Sequence, residues 1–419
     1  MWRRLKRYRK TMVVFLAVVG PGLITATVDN DAGGIYIASA AGARYGFDLL
    51  WTLIPILVAL IVIQEMCARM GVVTGKGLAD LIREEYGFRA TFLLMLALVA
   101  ANLSNIVAEF AGVATSLEIF GASRYLSVPL GALLVWGLVV KGTYRSVEKV
   151  FLVACLFYLA YFASAFLAGP DWSEALTSTV TPRIHYEPAY LMMVIGMAGA
   201  VIAPWMQFYQ QSSVVEKGIK VQHIRQARWD VILGGVFSAA LVFFIVVGCA
   251  VTLHQSGQHE IKDAAQAALA LEPLAGRWAS TLFAVGLCNA SLLAASVLPL
   301  ATAYYVCEGL GLEAGVNRKF HEAPVFYWLY TVLVFGGAGI VLIPGIPLIP
   351  VILLSQVVNG FLLPVVLIFI VRLSSRKDLM GKYRNHPALN VVAWMTVVVM
   401  VVLTLTLALS GVFPEATIG

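Results

Sequence analysis

Charge is what this chain has least of. Asp, Glu, Lys and Arg together make up 12% of its 419 residues, against 60% hydrophobic. Soluble domains carry about 25% charged residues, so an ordinary soluble fold is excluded. Cysteine is also sparse: Cys67, Cys155, Cys249, Cys288 and Cys307 fall in or beside five different apolar runs, with no C-x-x-C spacing. That pattern excludes a disulfide framework or a zinc site and leaves packing as their role. The six histidines, His185, His223, His254, His259, His321 and His386, all sit in loops or at run ends. A metal cluster of intramembrane imidazoles is therefore not expected. No H-E-x-x-H, no phosphate loop and no nucleophile with its base is present, so an enzyme is not expected either.

What the chain does have is long apolar runs. They lie at about 11–43, 48–69, 90–120, 125–141, 147–168, 188–216, 229–254, 277–307, 324–343, 348–371 and 387–411, each long enough to cross a bilayer, which takes roughly 20 residues. The expectation is an all-α polytopic membrane protein of eleven spans. The amino terminus is rich in Arg and Lys and runs straight into the first span without a small-residue cleavage site, so it reads as a cytoplasmic flank. With that end inside, only Arg44, Arg124, Arg183, Lys262 and Arg277 of the 29 Lys and Arg lie outside. The asymmetry supports both topology and orientation, with the carboxyl terminus extracellular. The net charge of +6 thus reports topology and does not call for a nucleic-acid partner.

Eleven spans divide into five, five and one. The expected halves are about 11–168 and 188–371, with an extra span at about 387–411, all in one transmembrane domain. Hydrophilic stretches at 70–89, 169–187, 255–276 and 308–323 are too short to fold alone, although Ile261 to Leu271 is a candidate short helix. An odd repeat places spans 1 and 6 at equivalent positions with opposite orientation, the logic of inverted-repeat transporters. Both are interrupted: Val28-Asp29-Asn30-Asp31-Ala32-Gly33-Gly34 in the first, and Gly199-Ala200-Val201-Ile202-Ala203-Pro204-Trp205 in the sixth. An unwound helix frees carbonyls that must find partners, and an acidic residue at bilayer depth costs about 2.5 to 3.5 kcal/mol. A cation would satisfy both.

Asp31 is the leading candidate ligand, with capping of the outer half of span 1 as its competing role; Asp29 either faces a vestibule or assists. Glu109 is mid-span, where carboxylates are functional by default, with a structural pairing to a buried amide or hydroxyl as its competing role. Pro204 leaves carbonyls near Ala200 without amide donors, free to point at a bound cation, with a simple proline kink as the competing account. Gln356 and Asn359 in span 10 either bind a metal or its water shell, or join helices. Glu65 and Arg69 have helical spacing and read as a surface ion pair.

The stretches GPGLITATVDNDAGG, ARYGFDLLW, ARMGVVTGKGLADL, LSQVV with the later Leu363-Pro364, and SRKDLMG are spread from span 1 to span 11. Together they resemble the Nramp divalent-metal transporters. The resemblance implies a LeuT-like fold with a metal site where spans 1 and 6 unwind, and in many members proton coupling. By that resemblance the family's span 1 Asp falls on Asp31 and its Asn on Gly34; its span 6 Met falls on Ala203 and its His on Trp205, with a second His on Gln210. The carbonyl ligands map to Val28 and Ala200, the span 3 Glu to Glu109, and the span 10 Gln to Gln356.

The departures point to a harder ion. Losing the thioether at Ala203 removes the ligand suited to soft metals, and Gly34 is expected to widen the pocket. Magnesium keeps several waters and binds through few carboxylates, which fits such a site. The pattern looks like the branch called Nramp-related magnesium transporters. The implied proton route is depleted as well, since its span 3 Asp falls on Ile106 and span 9 has no Arg.

The expected function is uncoupled transport of partly hydrated magnesium, and of manganese, across the plasma membrane by a monomer with no resident cofactor. Two alternatives stay open. One is a proton-coupled transition-metal importer taking sulfur from Met197 or Met206; the other is a sodium-coupled amino-acid carrier of the same fold.

Overall fold

A computed structural model of the chain describes residues 22, 25, 28–141, 158–261, 264–268, 272 and 276–412. They are helical almost throughout. In chain order the helices are α1 (Ala32–Tyr45), α2 (Leu53–Thr74), α3 (Leu78–Glu118), α4 (Arg124–Val140), α5 (Leu159–Leu167), α6 (Trp172–Val180), α7 (Pro188–Val201) and α8 (Pro204–Glu216). There follow α9 (Ile224–Cys249), α10 (Ala264–Ala268), α11 (Ala279–Leu310), α12 (Pro324–Val341), α13 (Leu348–Ser375), α14 (Lys377–Met380) and α15 (Pro387–Val412). Among the described residues, eight helical stretches are long and apolar enough to cross a membrane, and α4 is a shorter apolar helix. They match the expected spans 2, 3 and 6 to 11; spans 1 and 5 fall only partly within the described residues, and Cys155 falls outside them. The candidate helix at Ile261 to Leu271 reduces to α10 among those residues.

Two groups of helices meet at the site. Helix α3 is sandwiched by α11 and α13, with α12 and α4 behind them; α1, α2, α8 and α9 form the second group. Helix α7 bridges them by lying along α13. The bridge is backbone to backbone: a Cβ on Gly199 would stand 2.2 Å from the Gln356 carbonyl oxygen, and one on Gly360 would stand 2.6 Å from the Ile195 carbonyl oxygen. No side chain fits between them. The crossing therefore brings Gln356 beside the sixth-span break.

Large apolar side chains cover the outside. Phe88, Phe92, Leu93 and Leu96 on α3, Leu126, Leu130, Leu133 and Leu134 on α4, and Met395, Val398, Val399 and Val402 on α15 are all exposed. Water would penalise such a surface and hydrocarbon would not. Polar groups gather inside instead, where each needs a partner.

One expectation is corrected here. Arg69 and Glu65 form no surface pair: Arg69 is 2% exposed and Glu65 9%. The Arg69 Nε donates to both Glu65 oxygens at 3.1 Å, its fork reaches the Tyr383 carbonyl and Asn385 Oδ1, and Arg228 Nε donates to Glu65 at 2.6 Å. Helical spacing supplied the pair, but the segment between α13 and α15 folds over it. The SRKDLMG stretch therefore leads into a docked connection.

Candidate functional site

The first break begins after Val28 and ends where α1 starts at Ala32. In an unbroken helix the Ala32 N–H would donate to the Val28 carbonyl. It donates instead to Glu109 Oε2 at 3.2 Å. Glu109 on α3 thus stands in for that carbonyl and leaves it without its helical donor. Asp31 caps α1, its Oδ1 accepting from Gly34 N at 2.7 Å, so the capping role is present in the geometry. Capping engages one oxygen, and the Glu109 carboxyl stands within hydrogen-bond reach of the same carboxylate. The two carboxyl groups are neighbours, both buried, at 4% exposure for Asp31 and 0% for Glu109. Glu109 Oε1 is buried with no hydrogen-bond partner, a costly arrangement that a cation or a proton would relieve.

The rest of the break is held by distant residues. Tyr158 donates its hydroxyl to the Asn30 carbonyl at 2.9 Å, and the Asn30 amide donates to Ser238 Oγ on α9 at 2.9 Å. Thr25 donates to Gln210 Oε1 at 2.9 Å. Gln210 thus ties α8 to the first half of the broken span. None of Tyr158, Ser238 and Thr25 stands out in the sequence, because nothing local marks a hydroxyl that serves a segment more than a hundred residues away.

In the sixth span, α7 ends at Val201 and α8 restarts at Pro204; Ile202 and Ala203 are non-helical between them (Ala203 φ −60°, ψ 138°). Pro204 has no N–H, so the Ala200 carbonyl has no donor four residues on. Ala203 contributes only a methyl group and Trp205 is buried at 2% exposure beside Tyr209. Ala200 and Gly34 come together in a narrow crevice with Asp29, Asn30, Met197 and Val201, too tight in this state to admit a water molecule. Gly34 does not widen it. A Cβ there would lie 2.7 Å from the Asp29 carbonyl oxygen, so the backbone itself occupies the volume that a larger side chain would take. Gln356 fills the matching space at Gly33, its Nε2 lying 1.7 Å from where a Gly33 Cβ would stand. Asn359 faces Asn105 in a reciprocal amide pair (2.9 and 3.1 Å) and donates to Gln356 Oε1 at 3.3 Å. Its joining role is thus present in the geometry.

The structure thus brings Asp31, Glu109, Val28, Gly34, Gln356, Ala200 and Ala203 to the two breaks, with Asn359 behind Gln356 and Gln210 clasping Thr25. The fold matches that of solved proteins. A manganese transporter from Eremococcus coleocola, in complex with an aromatic bis-isothiourea compound, superimposes with a TM-score of 0.76 at 20% identity, over 96% of this chain and 87% of that one. MhsT in complex with L-phenylalanine superimposes with 0.60 at 14% identity, over 92% and 98%. Fold and interrupted helices therefore define a polytopic helical membrane protein of LeuT-like architecture. Residues 22–410 match the family described as natural resistance-associated macrophage protein-like, and the chain belongs to that family, Nramp. Among its relatives, a divalent metal cation transporter MntH of Bradyrhizobium diazoefficiens is 30% identical over 97% of this chain and 90% of its own length. One from Granulibacter bethesdensis is 25% identical over 94% and 89%.

Proposed function

We propose that this chain carries a divalent metal ion across the plasma membrane by alternating access, that magnesium is its main substrate with manganese second, and that no proton accompanies it. Its relatives are named as divalent metal cation transporters and its fold neighbour as a manganese transporter, which supports the substrate class. The observation that carries the finer reading is the donor set at the breaks. It consists of the Asp31 and Glu109 carboxyls and freed carbonyls, with the Gln356 amide beside them turning its NH₂ to the Gly33 backbone, while the site facing them at Ala203 has no sulfur. Oxygen-only sites suit magnesium, calcium or manganese. Magnesium gives up its waters reluctantly and favours a site with few direct ligands. The crevice is narrow in this state, so the hydrated ion enters only as the two helix groups separate.

Uncoupled movement is supported by the packing at Ile106. A Cβ on Gly337 of α12 would stand 2.5 Å from Ile106 Cγ2, so an apolar contact fills the place where the family carries an acidic residue. All six histidines lie outside the breaks; His254 and His259, for instance, both contact the Ala43 carbonyl. A membrane potential, inside negative, contributes about 2.3 kcal/mol per charge per 100 mV, twice that for a divalent ion, and drives import without protons. The reading places the amino terminus in the cytoplasm and the carboxyl terminus outside. It treats the halves 11–168 and 188–371 as inverted repeats and takes the monomer as the working unit. Magnesium flux into liposomes with an internal pH dye tests both parts; influx without internal acidification is expected.

A second reading rests on Met197, whose presence in the crevice beside Asp29 and Ala200 brings a thioether near the breaks. It would make the protein a proton-coupled transition-metal importer. Cadmium competition lost on Met197→Leu, with acidification during manganese uptake, would favour it.

A further inference from the structure

Behind Gln356 runs a continuous chain of buried amides across α11, α3 and α13. Asn102, Asn105, Asn359 and Gln356 are each 2% exposed or less. The chain starts at a group with no choice of role. The Leu298 carbonyl can only accept, and it takes the Asn102 Nδ2 N–H at 2.8 Å. Thr302 spends its hydroxyl proton on the same carbonyl at 3.0 Å, so its oxygen accepts Asn102's other N–H. Asn102 Oδ1 is thereby left as an acceptor, and it receives Asn105 Nδ2 at 3.3 Å. Asn105 Nδ2 also donates to Asn359 Oδ1 at 2.9 Å, and Asn359 Nδ2 returns a bond to Asn105 Oδ1 at 3.1 Å. The second Asn359 proton goes to Gln356 Oε1 at 3.3 Å. Every step forces the next, because flipping any one amide would set oxygen against oxygen and NH₂ against NH₂.

The end of the chain is the consequential part. With its oxygen turned to Asn359, Gln356 must turn its NH₂ toward Ser355 Oγ, at 3.1 Å, and the Gly33 backbone of the first break. Ser355 gives its own proton to the Ile352 carbonyl, so in this arrangement it accepts from Gln356, although its hydroxyl can rotate to donate once the amide chain is broken. An NH₂ edge repels a cation, whereas an amide oxygen binds one.

We infer that Asn102, Asn105 and Asn359 are positioning residues that withhold the Gln356 oxygen from the substrate ion. The cation meets one oxygen fewer for as long as the chain is intact. This rests on the divalent-ion reading above and adds a control on how tightly the ion is held.

Two variants test it, each measured as flux against magnesium concentration in proteoliposomes, with a thermal melt in detergent. Asn359→Asp offers only acceptors, so it must take Gln356's N–H and free the Gln356 oxygen toward the break. Asn105→Leu releases Asn359 without adding charge and leaves Gln356 held only by Ser355 Oγ, whose hydroxyl can rotate. Both are expected to lower KM, by about five-fold for one added oxygen ligand, and to lower maximal flux as release slows. In a Gln356→Leu background neither should change KM. The inference is overturned if folded Asn105→Leu leaves KM unchanged, if the Asn359→Asp effect persists without Gln356, or if both variants fail to fold, which would make the chain purely structural. Absence of any divalent-ion flux in the unaltered protein would instead sink the transport reading itself.

Discussion

Replacing Asp31 by Asn separates the two roles that this residue combines. Its Oδ1 caps α1 through Gly34 N at 2.7 Å, and Asn caps a helix about as well as Asp. The cap bond survives the change, so the expected cost in stability is below about 1 kcal/mol. The charge does not survive. At an effective dielectric of about 20, a unit charge about 4 Å from a divalent ion contributes about 8 kcal/mol. Retained waters and the remaining Glu109 carboxyl offset part of this. If about half is lost, ion binding weakens by about a thousandfold. Magnesium influx into proteoliposomes should therefore fall to background, while the melting temperature in detergent stays near that of the unaltered protein. Influx within threefold of normal from Asp31→Asn would show that the carboxylate charge does not hold the ion and would leave Asp31 as a cap alone.

Asp31→Ala should abolish influx and also lower the melting temperature, because it removes the cap as well, worth about 1 kcal/mol. Ala203→Met should strengthen cadmium competition against manganese only in part, since the Asp29 carbonyl packed at Gly34 leaves the rest of the donor set unchanged; complete conversion to a soft-metal profile would contradict the oxygen-only site. Gly33→Ala places a methyl group on Gln356 Nε2 and should cut influx at least tenfold in a protein that still purifies as folded. Arg69→Ala leaves Glu65 buried with a single cation partner, Arg228, and should destabilise the protein by about 3 to 5 kcal/mol, read as a lower melting temperature.

Both breaks were legible because their causes are local. Pro204 lacks the N–H that would continue α7, and Asp31 followed by Gly33 and Gly34 both caps a helix start and weakens what precedes it. Long apolar runs marked the spans for the same reason: crossing hydrocarbon demands about 20 apolar residues in a row whatever their neighbours are. Gly34 shows the limit of such reading. A missing side chain looks like open space in a sequence, but here the Asp29 carbonyl fills it. Glu65 and Arg69 show it again, since spacing along one helix reveals a pair without revealing what covers it.

The partners that hold the breaks open were decided by tertiary structure alone. Glu109 receives the Ala32 N–H across 77 residues of chain, Tyr158 reaches Asn30 across 128, Thr25 reaches Gln210 across 185, and Asn105 pairs with Asn359 across 254. Along the chain an Asn in an apolar helix is equally a ligand, a helix joint or a strained residue. Which it becomes depends on the donor or acceptor that another helix places within about 3 Å. The linear chain determined where this protein crosses the membrane and where its helices must fail. Only the packing of those helices decided which oxygens face the failure and which are turned away.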